Sequence, residues 1–130
     1  MALGQEPYEV FASALTEYTD QFLEFSSHAR VEALRTAVME AVGPEAGLLT
    51  DIIPALERLL GPTERPTRVY GTEALHRFRF VFCNFIRALS KCAPLVLLLD
   101  DLQWADYLST ELLRVLFHTP NMALLVIGVH

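Results

Sequence analysis

The residues best suited to chemistry are two adjacent carboxylates, Asp100 and Asp101, at the end of the apolar run Leu95-Val96-Leu97-Leu98-Leu99. Such a run, bounded by turn residues, predicts a strand buried on both faces of a parallel sheet. In open α/β sheets ligands bind beyond the carboxyl ends of the strands, which is where these acids stand. One carboxylate there suits Mg²⁺, a hard cation that takes oxygen ligands and gives up its water reluctantly. The other can orient and deprotonate a water for attack on phosphorus. The same residues also read as solvated turn acids closing a core strand, and spacing alone leaves both readings open.

Other chemistries find less support. The only lysine is Lys91, between Ser90 and Cys92, so no Gly-Lys-Ser/Thr tripeptide is present to cradle a phosphate. Cys83 and Cys92 read as two reduced thiols, and His28, His76, His118 and His130 are scattered, which argues against a metal site built from His and Cys. Ten basic against sixteen acidic residues give a net charge of −6. That balance excludes a general nucleic-acid surface, which needs clustered Lys and Arg. With 130 residues, 52% of them hydrophobic, the chain is too apolar for a disordered tail and fits one domain or a piece of a larger one. Met1–Val10 lacks the apolar core of a signal peptide, and the runs 95–99 and 122–129 are too short to cross a membrane. A cytoplasmic location is therefore expected.

The elements that must position the acids are legible from periodicity. Tyr8, Phe11, Leu15, Tyr18, Phe22 and Phe25 mark one face of a helix from about Pro7 to Phe25. A second helix, 28–42, buries Val31, Leu34, Val38 and Ala41 and stops at Gly43-Pro44. A third, 48–60, must kink or restart at Pro54 and closes at Gly61-Pro62. The segment 61–71 reads as an exposed linker. A fourth helix follows with Thr72 as N-cap and Leu75, Phe78, Phe82, Phe85 and Leu89 on its core face. After Asp106, itself a reasonable N-cap, comes a helix over 107–118 and a second apolar run, 123–127. Strand, helix and strand make a parallel βαβ unit over 93–130, behind a helical region over 1–92.

The string Pro94-Leu95-Val96-Leu97-Leu98-Leu99-Asp100-Asp101-Leu102-Gln103-Trp104-Ala105-Asp106 resembles the Walker B segment of AAA-related, STAND-like signal-transduction ATPases. These are modules of multidomain regulators, found beside protein kinase, hybrid histidine kinase, adenylate cyclase and helix-turn-helix domains. Pro7-Tyr8, Ala41-Val42-Gly43-Pro44, Asp51-Ile52-Ile53-Pro54-Ala55-Leu56, Arg77-Phe78 and Leu124-Leu125-Val126-Ile127-Gly128 are similar to the same family. His76 stands where the family usually shows asparagine.

The resemblance implies an α/β fold, an incomplete P-loop NTPase core, with ATP and Mg²⁺ as cofactors. It makes Asp100 the Mg²⁺-associated acid and Asp101 the water-activating one, and gives Trp104 a place in shaping the turn beside the nucleotide. Attached kinase or other effector domains are the implied partners. The family places a P-loop strand before the region seen here and an arginine after it, so the chain is expected to be a slice of the domain that does not hydrolyse ATP alone. An uncovered edge on the last strand would invite a protein partner. The alternative is a non-catalytic interaction module, a degenerate remnant of such an ATPase.

Overall fold

The computed structural model describes residues 8–63, 71–99, 106–120 and 122–128. Helix α1, Glu9–Phe25, is followed by α2, His28–Val42, whose N-cap Ser27 accepts the Arg30 N–H at 3.2 Å. This bond satisfies one of the amide donors that every helix start leaves unpaired. A 3₁₀ turn, Gly43–Glu45, leads into α3, Ala46–Ile52. Pro54 divides α3 from α4, Leu56–Leu60, because its ring forces the preceding Ile53 out of helical geometry. Gly61 ends α4 at φ 82° and ψ −176°, a region that only glycine visits easily. Helix α5 spans Gly71–Cys92, strand β1 Leu95–Leu99, helix α6 Tyr107–Phe117 and strand β2 Leu124–Gly128.

The core is built around α5. Phe82, Phe85 and Ile86 are fully buried there, and Phe11 of α1 meets Phe82 edge-on at 5.4 Å between ring centroids. Phe78 and Phe82 continue the aromatic row at 5.6 Å, and this offset packing adds to the area the rings bury. Leu34 and Val38 of α2, Leu49 of α3 and Leu56 and Leu59 of α4 close around it. Polar ties hold the short helices in place. Arg35 Nε donates to the Leu59 carbonyl at 2.8 Å, and Arg77 grips both carboxylate oxygens of Glu45 at 3.1 Å.

Strands β1 and β2 pair in parallel, with Leu95 opposite Leu124 and Leu99 opposite Gly128, and α6 lies between them in the chain. The expectation of burial on both faces of β1 is corrected. Leu95, Leu97 and Leu99 are buried, whereas Val96 and Leu98 are 54% and 47% exposed. Helix α1 packs on one face, and the exposure of Val96 and Leu98 leaves the other face open. Leu125 and Ile127 of β2 extend that open apolar face.

Three helix details also differ from the periodicity reading. Phe25, the last residue of α1, is exposed, and Thr19 is buried on that helix. On α2 the buried residues are Leu34, Val38 and Val42, whereas Val31 is half-buried and Ala41 exposed. Thr72 sits within the first turn of α5, since the helix already starts at Gly71.

Candidate functional site

Asp100, Asp101 and Trp104 lie outside the described residues. What the structure gives is the frame on either side of them: β1 ends at Leu99, and Asp106 reopens the described chain as the N-cap of α6. The Asp106 carboxylate accepts from the Ser109 amide at 3.2 Å and from Ser109 Oγ at 2.6 Å. It also accepts the Tyr8 amide at 3.2 Å, across 98 positions of sequence. One side chain therefore anchors the starts of α1 and α6 together, next to the segment 100–105. An acid at a helix start is favoured twice, by the free amides and by the helix dipole.

Tyr8 is held in a left-handed conformation, φ 62° and ψ 26°, which an aromatic residue seldom adopts. Its ring packs on Phe78 at 4.6 Å and its amide is spoken for by Asp106, so the surroundings hold the strain in place. Burial pushes the Tyr8 phenol above its ordinary value of 10.0, opposed by the nearby Arg79 guanidinium and helped by the Asp106 charge. Neither Tyr8 Oη nor Arg79 Nε completes a hydrogen bond among the described residues, although both atoms are buried. Glu111 is held below the usual carboxylate range, mainly by its 2.7 Å hydrogen bond from Arg114 and in smaller part by Arg79. Tyr8, Arg79, Asp106, Ser109 and Glu111 thus form a polar cluster at the start of α6.

Sequence reasoning marked Asp106 as a cap but missed Tyr8 and Arg79 as its companions. Tyr8 counted as the first rung of an apolar stripe and as part of the Pro7-Tyr8 pair, and Arg79 was not singled out. No local spacing joins them. Among the described residues, no three His, Cys, Asp or Glu side chains converge as a metal site. No helix among them is long and apolar enough to cross a membrane.

A parallel strand pair with an acid-capped helix between its members, set against a helical layer, suits a nucleotide-binding α/β core. A family model described as an AAA ATPase domain matches residues 3–127. The chain belongs to that family. This bears out the resemblance to AAA-related ATPases. Over 117 residues the chain is also 28% identical to hybrid signal transduction histidine kinase G of Dictyostelium discoideum. The alignment covers 89% of this chain and 3% of that kinase, so the chain spans a small part of the relative's length. No solved structure matches the chain.

Proposed function

We propose that this chain is the acid-bearing segment of a nucleotide-switched ATPase domain of the STAND-like group in a signalling protein. Asp100 is the Mg²⁺ ligand, Asp101 the base that takes a proton from the attacking water, and Trp104 a wall of the turn beside the nucleotide. The observation that carries the reading is the frame: a strand ending at Leu99 and paired in parallel, then a helix fixed by Asp106. Residues 100–105, which bridge that strand and helix, begin at the carboxyl end of the strand, where open sheets receive ligands.

Carboxylate oxygens suit a hard cation, and Asp100 is the acid nearest the strand. When bound, Mg²⁺ supplies positive charge against the phosphates. Asp101, as a carboxylate, accepts a proton from the water, while the Tyr8–Arg79–Asp106 cluster keeps the start of α6 fixed. In this reading β1, α6 and β2 form one strand–helix–strand unit over 93–130, and the helices over 1–92 cover it. Kinase or other effector domains joined to the same polypeptide read out its nucleotide state, as the similarity to a histidine kinase supports.

The 130 residues include no Gly-Lys-Ser/Thr tripeptide, and two carboxylates alone add negative charge to a triphosphate site. Equilibrium binding of labelled ATP with Mg²⁺ to this chain is therefore expected to be weaker than micromolar, and micromolar affinity would count against the reading. The open face of Val96, Leu98, Leu125 and Ile127 favours a second reading, a non-catalytic module that binds a protein partner. Retention of partner binding by a chain carrying Asp100→Asn and Asp101→Asn separates the two.

A further inference from the structure

The opposite end of β1 from the acids carries a cavity of about 360 Å³, where α1, α2, α5 and the start of the strand meet. Its floor is the buried Leu34, Leu89 and Leu95. One wall is aromatic: Tyr18 and Phe22 stack at 5.8 Å with 19° between their planes. The Arg30 guanidinium carbon stands 5.5 Å from the centre of the Phe22 ring, at the edge of the same cavity. Arg30 is the one charged residue in the lining, and no acid pairs with its guanidinium among the described residues. Exposed Cys92 sits at the mouth.

We infer that this cavity binds a small aromatic monocarboxylate, its ring against Tyr18 and the three leucines and its carboxylate on Arg30. The volume lies in the range of ligand sites, which are mostly apolar with few polar groups to fix orientation. A guanidinium on an aromatic face presents its fork of donors to a planar carboxylate, a charge-assisted and often bidentate arrangement. Burial holds the Tyr18 phenol above 10.0, with Cys92 acting in the same direction and Arg30 against it. At neutral pH that phenol is a hydrogen-bond donor, which also suits an anion. The chain's net charge of −6 repels anions on average, so retention of a carboxylate must come from this local cation. Leu95 at the floor of the cavity and Leu99 at the far end of β1 are separated by roughly 13 Å of strand, so the site is distinct from the proposed nucleotide site and does not depend on it.

The test is calorimetric titration of the 130-residue chain with 2-naphthoate, using 2-naphthylmethanol and acetate as the neutral and ring-free probes. One-to-one saturation by 2-naphthoate alone is expected, together with slower labelling of Cys92 by a thiol reagent while the site is filled. Arg30→Gln should weaken binding by about tenfold or more, the worth of one charged hydrogen bond. Ala33→Phe, placed at the exposed rim, should abolish it. Both positions are exposed, so thermal melts of the variants should match the parent. Absence of saturation, equal binding of the neutral alcohol, undiminished binding in Arg30→Gln or Ala33→Phe, or no protection of Cys92 each overturns the inference.

Discussion

Asp106 accepts three hydrogen bonds from two helices that begin 98 positions apart, and its neighbours Tyr8 and Arg79 carry the unpaired buried atoms of the cluster. Replacing it with alanine removes a helix cap and strands the Tyr8 amide. Asp106→Ala is expected to lower unfolding free energy by about 1–3 kcal/mol in urea titration, with Asp106→Asn recovering most of the loss. Tyr8→Phe keeps the ring on Phe78 and deletes a buried hydroxyl that has no partner among the described residues, so stability should hold or rise. The pH dependence has a defined sign. Burial raises Tyr8 and Tyr18 above 10.0 and Cys83 above 9.0, so their neutral forms favour the fold. That stability is present at neutral pH and is lost as pH climbs past 9.0 and then 10.0, because the unfolded chain releases these protons first. Urea midpoints measured across this alkaline range should fall, and fall less steeply in Tyr8→Phe. At this scale the Asp106 cap was legible in the sequence, because it depends on neighbours in the chain. The Tyr8–Arg79–Asp106 grouping was not, because a contact made by folding leaves no spacing to read.

Among the elements, β1 carries the sharpest contrast. Five aliphatics in a row hide an alternation that only the packing shows: Leu95, Leu97 and Leu99 face α1, and Val96 and Leu98 face outward. Leu97→Ala should cost about 2–5 kcal/mol, as a buried leucine does. Leu98→Lys should change stability by about 0.5 kcal/mol or less. Sedimentation of Leu98→Lys should also show less self-association than the parent, because a charge interrupts the open face. Equal losses from the two substitutions would contradict a strand covered on one side. Helix ends, in contrast, were readable. Gly43 and Gly61 carry positive φ at the ends they mark, and Pro54 separates two helices as its ring requires, whereas the Ser27 cap of α2 and the start of α5 before Thr72 went unread. The pattern failed at Phe25 and Ala41, since which rung of an apolar stripe is covered depends on where the neighbouring element stops.

For the molecule as a whole, the helices and the strand pair meet in one hydrophobic core, while the far side of the sheet stays open. Membership of the AAA ATPase domain family and the strand and helix that flank residues 100–105 in the chain support one account, in which Asp100 and Asp101 serve Mg²⁺-ATP in a signalling protein. The measurement that tests it most directly is Mg²⁺-dependent ATP hydrolysis by the polypeptide isolated at its endogenous length, native against Asp101→Asn. The account predicts turnover in the native protein and a fall of about 10²–10⁴-fold in the variant, with ATP binding retained, as expected when a positioned base is removed. A native polypeptide that neither binds nor hydrolyses ATP, or an Asp101→Asn variant with undiminished turnover, would contradict it.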